Sequence, residues 1–277
     1  MLGAIIGDIV GSAYEFNPTN DYNFELFPAE ANFTDDTVCT IAIADALLRD
    51  RDFGESLHDW CRRYPHPMGG YGYRFSDWVW SDNPQPYGSF GNGSAMRVSP
   101  IGWWCSESDD IEEAAVESAR CTHSHEEGIK GAVYVAIAIF GALQRRQGGE
   151  KPEEIQEALL ELGSNPHYDL DIKIDQVKNR FDETCQGTVP VALWIIGQST
   201  SFEDAIRRAV SLGADADTLG AIVGSIAEAI WGIPEWMKKK AISYLPEEMK
   251  NVVRDFRNGV RTRRKEEKIR SSRSRES

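Results

Sequence analysis

Asp215-Ala216-Asp217-Thr218 runs without a break into Leu219-Gly220-Ala221-Ile222-Val223-Gly224-Ser225-Ile226-Ala227-Glu228-Ala229-Ile230-Trp231. The apolar residues of the second stretch recur three and four apart, the spacing of a buried helix face. Two carboxylates and a hydroxyl therefore stand where a helix opens. The arrangement occurs twice: Thr34-Asp35-Asp36-Thr37 leads in the same way into the apolar run Val38 to Leu48.

Working outward, the same periodicity covers 2–14, 37–50, 54–63, 109–121, 126–147, 152–162, 187–198, 202–212, 218–231 and 246–258. Alternating apolar and polar residues of strand type are scarce, so the expected class is all-α, in a single domain. Ser201-Phe202-Glu203-Asp204 opens one helix as a capping signal and Gly213 stops it, while Pro152 suits a first helical turn. Three stretches break the pattern. Residues 15–36 and 64–92 read as long ordered loops, the second rich in Gly, Pro, Tyr and Trp, and 163–171 as a shorter irregular piece.

Each acidic cluster has two readings. As caps, Asp and Thr satisfy the free N–H groups of a first helical turn and suit the positive end of its dipole. One short polar side chain suffices for that, and here each helix carries two carboxylates and a flanking Thr. Brought together, four carboxylates would repel one another unless a cation lay between them. A donor set of oxygen alone points to Mg²⁺ or Mn²⁺ rather than zinc, and two ions sharing carboxylates fit the number of ligands.

Residues 87–102 hold Gly88, Gly91 and Gly93 ahead of Ser94-Ala95-Met96-Arg97. Free N–H groups at such a turn can hold an anion, although the spacing is neither a Walker loop nor a dinucleotide fingerprint. Phe90 and Tyr87 beside it can stack on a base or pack in the core. Cys121-Thr122-His123-Ser124-His125 is a poor metal pattern, and His123 reads better as a hydrogen-bonding group near a ligand. Gly3, Gly7 and Gly11 give the first helix a smooth face for close packing, and Glu15 follows at its end.

The formal net charge is −14. Arg261 to Ser277 hold 8 of the 30 Lys/Arg and 3 of the 44 Asp/Glu, which leaves 22 against 41 in the body. A body this acidic disfavours nucleic acid as a partner and suits a cation-binding pocket. The expected organisation is a catalytic domain over 1–260 and a basic, Ser-rich, disordered tail over 261–277. Five scattered cysteines without a CxxC pair, a start without basic residues and no apolar run of membrane length give the expectation of a reduced, cytoplasmic protein without a membrane partner.

In order, the Gly-Asp-x-x-Gly helix ending in Glu15, Thr-Asp-Asp-Thr, Gly-Asn-Gly-Ser-Ala-Met-Arg, Thr-His-Ser-His and Gly-Ala-Asp-Ala-Asp-Thr resemble the ADP-ribosylglycohydrolase family over residues 1–235. The family includes the dinitrogenase reductase-activating glycohydrolases and the ADP-ribosyl-acceptor hydrolases. The resemblance implies an orthogonal all-α bundle with a binuclear Mg²⁺ or Mn²⁺ centre. Thr34, Asp35, Asp36, Asp215, Asp217 and Thr218 correspond to the metal ligands. Glu15, with Asp35 and Asp36, belongs to the catalytic group. Gly91, Asn92, Gly93, Ser94 and Met96 resemble the diphosphate- and ribose-binding turn, and Phe90 and His123 ligand-contacting positions. Some members use a further Asp before the turn, for which Asp77 and Asp82 are the candidates.

The activity implied is release of ADP-ribose from a modified acceptor, first of all arginine on a protein, with serine, a nucleobase or a small ester as alternatives. A silent ADP-ribose-binding scaffold and a metal-dependent phosphohydrolase are the rivals. Acceptor choice is expected in loops 16–33 and 64–88, with Tyr71, Tyr73, Phe75 and Trp78 around it.

Overall fold

The computed structural model describes residues 1–164 and 168–273, apart from the side chains of 108, 109 and 267–273. Among these residues the secondary structure is helical, with isolated bridges but no strand. The chain opens with α1 (Leu2–Ser12), α2 (Asp35–Arg49), α3 (Phe53–Arg63), α4 (Tyr73–Trp80), α5 (Gly93–Arg97) and α6 (Ser99–Trp104). It continues through α7 (Ser108–Arg120), α8 (Glu126–Gln147), α9 (Pro152–Ser164), α10 (Ile174–Val177) and α11 (Cys185–Gln198). It closes with α12 (Phe202–Ser211), α13 (Ala216–Trp231), α14 (Glu235–Tyr244) and α15 (Glu247–Arg273). The fold is the expected all-α bundle, and no described helix is long and apolar enough to cross a membrane.

The pair α1 and α13 sets the site. Every residue of α1 is buried. A methyl group on Gly3, Gly7 or Gly11 would lie 2.1, 1.9 or 2.2 Å from the carbonyl oxygens of Gly224, Gly220 and Ala216. The two numberings run in opposite directions, so the helices are antiparallel, backbone against backbone, and only glycine allows that approach. The end of α1 is thereby fixed beside the start of α13. α8 runs through the middle, against α5, α6, α7, α9, α11 and α13, within one continuous apolar core.

All ten periodic segments are helices, and Ser201 Oγ accepts from the Asp204 N–H at 3.1 Å as the capping signal predicts. An eleventh helix, α5, takes up Ser94–Arg97 directly behind the glycine turn, and four further helices lie where none was expected: α4, α6, α10 and α14. In α4, Phe75, Trp78 and Val79 are buried at helical spacing, a period masked in the sequence by flanking Gly and Pro. The piece expected to be irregular over 163–171 includes 165–167, which lie outside the described residues. At the other end, α15 passes residue 260 and runs to Arg273, through much of the stretch expected to be a disordered tail. Arg, Lys and Glu are good helix formers, Val260 is buried, and Arg263 and Arg264 lie over the rings of Trp104 and Trp103. Residues 274–277 lie outside the described residues.

Candidate active site

The start of α13, the end of α1 and the start of α2 meet around a cavity of about 310 Å³. Glu15, Asp35, Asp36, Asp215, Asp217 and Thr218 line one part of it. One carboxylate oxygen each from Glu15, Asp215 and Asp217 lie within 4.8 Å of one another. Thr218 Oγ1 donates to Asp36 Oδ1 at 3.4 Å, linking the two acidic helix starts, and Asp36 Oδ2 is buried with no hydrogen-bond partner. The Thr218 N–H donates to Asp217 Oδ1 at 2.9 Å.

Thr34 is buried behind this wall and does not line the cavity. Its Oγ1 caps α2 by accepting from the Asp36 N–H at 3.2 Å and donates to Asp8 Oδ1 at 2.7 Å. One lone pair is left for any further ligand. Asp8 was missed as a functional residue, although it stands out in the sequence as the one charge within an apolar helix. Fully buried, it accepts from the N–H groups of Thr34 and Thr37 at 3.0 and 3.1 Å, and from both their hydroxyls. Its carboxylate thus holds the loop-to-helix junction that presents Asp35 and Asp36.

Another part of the cavity wall is the glycine turn, which touches the acidic group through Asn92 and Asp215. Gly91, Asn92, Gly93 and Met96 line it, as does His123. A side chain on Gly93 would come within 3.1 Å of His123 Nε2, so the turn must stay bare to let the imidazole face the space. Main-chain pairing fixes the turn: the Asn92 N–H donates to the Glu183 carbonyl at 2.7 Å, and the Cys185 N–H to the Phe90 carbonyl at 2.9 Å. Ser94 is turned away, its hydroxyl donating to the Gly128 carbonyl at 2.7 Å. Phe90 does not line the cavity; it packs edge-on against His125.

Arg97 was quoted in the motif without a role. It is buried, lines the cavity and forms no ion pair among the described residues; it donates to the Ser118 carbonyl and Thr122 Oγ1, both at 2.8 Å. Thr122 Oγ1 in turn lies 2.7 Å from His123 Nδ1. Burial, and then Arg97, hold His123 well below its ordinary range, so the ring is neutral. The cavity is therefore bipolar, lined both by a group of carboxylates and by a buried guanidinium that pairs with no carboxylate among the described residues.

At the acidic end the carboxyl groups are all pushed up, by burial first. Glu15 is raised to about 8, with the Asp217 charge as the second cause, and Asp8 to about 7 by the same two causes. Oxygen donors that hold protons against water, and an orphaned buried carboxylate oxygen, suit a hard divalent cation. The residues fit such a group.

Of the aromatic residues expected around the acceptor, Tyr73 is 81% exposed and lines the cavity. Phe75 lines it from the core, Trp78 is buried in the core, and Tyr71 is tied to the Tyr64 carbonyl at 2.7 Å. Asp77 and Asp82 do not line the cavity. Arg74, Phe181 and Glu183 do, and nothing in their sequence context marked them.

Comparison with known proteins agrees with this geometry. A sequence model of the ADP-ribosylglycohydrolase family matches residues 1–266. The chain is 27% identical to ADP-ribosylarginine hydrolase Tri1 of Pseudomonas putida (strain GB-1), over 88% of this chain and 73% of that protein. It is 26% identical to ADP-ribosylhydrolase ARH3 of Homo sapiens, over 88% of each. A solved structure described as an ADP-ribosylglycohydrolase-related protein complex shares the fold with a TM-score of 0.68, at 24% identity over 94% of this chain and 97% of that one. The chain is an enzyme of the ADP-ribosylglycohydrolase family.

Proposed function

We propose that the enzyme hydrolyses the bond between ADP-ribose and an arginine side chain, using two divalent cations, Mg²⁺ or Mn²⁺, held by Asp35, Asp36, Asp215, Asp217, Thr218 and the remaining lone pair of Thr34. The observation that carries this reading is the bipolar cavity. A nucleoside diphosphate is anionic at its centre, and Arg97, which lines the cavity beside the Gly91–Gly93 turn without an ion pair among the described residues, suits that part. The distal ribose would then reach the carboxylates. The Tri1 relative is named for the arginine acceptor, which supports that choice.

The cations supply Lewis acidity and lower the pKa of a bound water. The protein's own groups do the rest. Glu15, at the edge of the carboxylate group, takes the proton of the attacking water. With the cations bound, their charge brings its pKa back down from the value near 8 that the neighbouring acids impose. Neutral His123 can hydrogen-bond to the ligand without adding a positive charge beside the ribose, where positive charge develops. Tyr73 and Phe181 form the walls nearest solvent, where the acceptor leaves.

The test is hydrolysis of an ADP-ribosyl-arginine protein with Mg²⁺, with Mn²⁺ and with EDTA, following free ADP-ribose. Metal-dependent release is expected. Cleavage of ADP-ribosyl-serine with arginine left intact would move the acceptor, and release undiminished in EDTA would remove the cations from the mechanism.

A further inference from the structure

A second cavity, of about 270 Å³, lies at the other end of α13, where Glu228 and Gly232 line it. The length of α13, 16 residues or about 24 Å at 1.5 Å per residue, separates it from the acidic cleft. Its lining inverts the charge of the molecule. In a chain of net charge −14, five cations converge here from three helices: Arg146, Lys238, Arg257, Arg261 and Arg264. One carboxylate, Glu228, lines it with them, and it is already engaged by the Met1 amine at 2.9 Å and the Gly3 N–H at 2.8 Å.

Three of the cations have structural work. Arg146 donates to the carbonyls of Glu228 and Ala229 at the end of α13, both at 3.4 Å. Lys238 pairs with Glu235 at 3.1 Å, and Arg264 lies 5.2 Å from the centre of the Trp103 ring. Arg257 and Arg261 are different. They sit one helical turn apart on α15, are exposed, and make no ion pair or hydrogen bond among the described residues. Two like charges at that spacing repel, and helix packing alone gives no reason to aim both at one concavity. The rest of the lining is apolar and includes Trp103 and Phe256.

We propose that this cavity binds a small organic phosphate carrying an aromatic ring, of the mononucleotide class, with the phosphate on Arg257 and Arg261 and the ring on the apolar wall formed by Trp103. Guanidinium pairs are suited to phosphate oxygens, and an aromatic wall is suited to a planar base. The volume, about 270 Å³, admits one small molecule and not a duplex.

The probe is AMP, titrated into the full-length protein while the indole N–H resonance of Trp103 is followed by NMR, the resonance being assigned with Trp103→Phe. No Trp lines the acidic cleft, so AMP bound there leaves this signal alone. A saturable shift is expected. The Arg257→Gln/Arg261→Gln variant should weaken it at least tenfold while turnover at the cleft stays unchanged. Arg261→Gln alone, which removes one exposed charge, should weaken it in the same direction if the double variant folds poorly. Inorganic phosphate and adenosine should each bind at least tenfold more weakly than AMP. A Trp103 signal that AMP does not move, an unchanged affinity in both variants, or phosphate binding as well as AMP would overturn the proposal. So would affinity that climbs with the length of a single-stranded oligonucleotide, which would make the arginines a nucleic-acid face.

Discussion

Asn92 Nδ2 donates to Asp215 Oδ2 at 2.7 Å and lies 3.2 Å from Thr188 Oγ1, so one buried amide joins the glycine turn to the acidic start of α13. The glycine turn and the carboxylates that line the cavity are thereby held in fixed register. Asn92→Ala removes the neutral amide that holds Asp215, and loss of such an outer contact costs about 10–100-fold in metal affinity or activity. We expect kcat/KM for ADP-ribosyl-arginine to fall within that range, with the cation concentration needed for half-maximal rate rising. Unchanged cation dependence in Asn92→Ala would mean that Asp215 is oriented by something else.

Asp8 should matter for folding before it matters for chemistry. It accepts four hydrogen bonds at the junction that presents Asp35 and Asp36. Asp8→Ala strands the buried donors of Thr34 and Thr37, at about 1–3 kcal/mol for each group left unsatisfied. Urea unfolding should report a loss of several kcal/mol, and the folded fraction should bind the cation poorly. Asp8→Asn keeps an acceptor in place and should lose less.

The raised carboxyl groups fix a pH dependence for the protein stripped of cations. Glu15 at about 8 and Asp8 at about 7 lie above their ordinary values of 4.5 and 3.8, so the folded chain binds these protons more tightly than the unfolded one. Their penalty is absent below about pH 4 and grows as pH rises through the folded values. In EDTA, Tm should therefore be higher at pH 5.5 than at pH 8.5. Mn²⁺ or Mg²⁺ should raise Tm, and raise it more at pH 8.5. The same Tm at both pH values in EDTA would show that the acidic cluster is not coupled to folding.

The fold was largely legible because apolar spacing dictates burial, as in Leu219–Trp231 and Val38–Leu48. The Gly3, Gly7 and Gly11 face also announced a close helix contact, though not that α13 would be its partner. Asp35, Asp36, Asp215 and Asp217, singled out because two carboxylates exceed what one cap needs, come together around one cavity. Asp8 and Arg97 escaped because each acts through contacts far apart in sequence, Asp8 on residues 34 and 37, Arg97 on 118 and 122. Ser94 and Phe90 belong to the motif, but their side chains face Gly128 and His125 rather than the cavity.

The α1–α13 contact should be intolerant of any side chain. A methyl group on Gly7 would lie 1.9 Å from the Gly220 carbonyl oxygen, which is rigid helix backbone. Overpacking of this kind costs about 1–3 kcal/mol and at times more. Because the contact fixes Asp217 against Glu15, Gly7→Ala should lower Tm and weaken cation binding together. Gly141→Ala, where a methyl group meets nothing within 4 Å, is the control and should leave both unchanged.

Asp217 stands at the centre of the repulsion: after burial, its charge helps to push up the carboxyl groups of Glu15, Asp8, Asp35, Asp36 and Asp215. Asp217→Asn keeps the shape and removes that charge. The metal-free variant should be more stable than the wild type at pH 8, with Tm up by several degrees, while turnover falls by at least a hundredfold for loss of a cation ligand. Stability and activity then move in opposite directions, as expected where a fold holds strained charge for function. The two readouts separate the alternatives. A variant that loses both Tm and turnover would make Asp217 a structural cap of α13, and one that keeps turnover would take the residue out of the cation site.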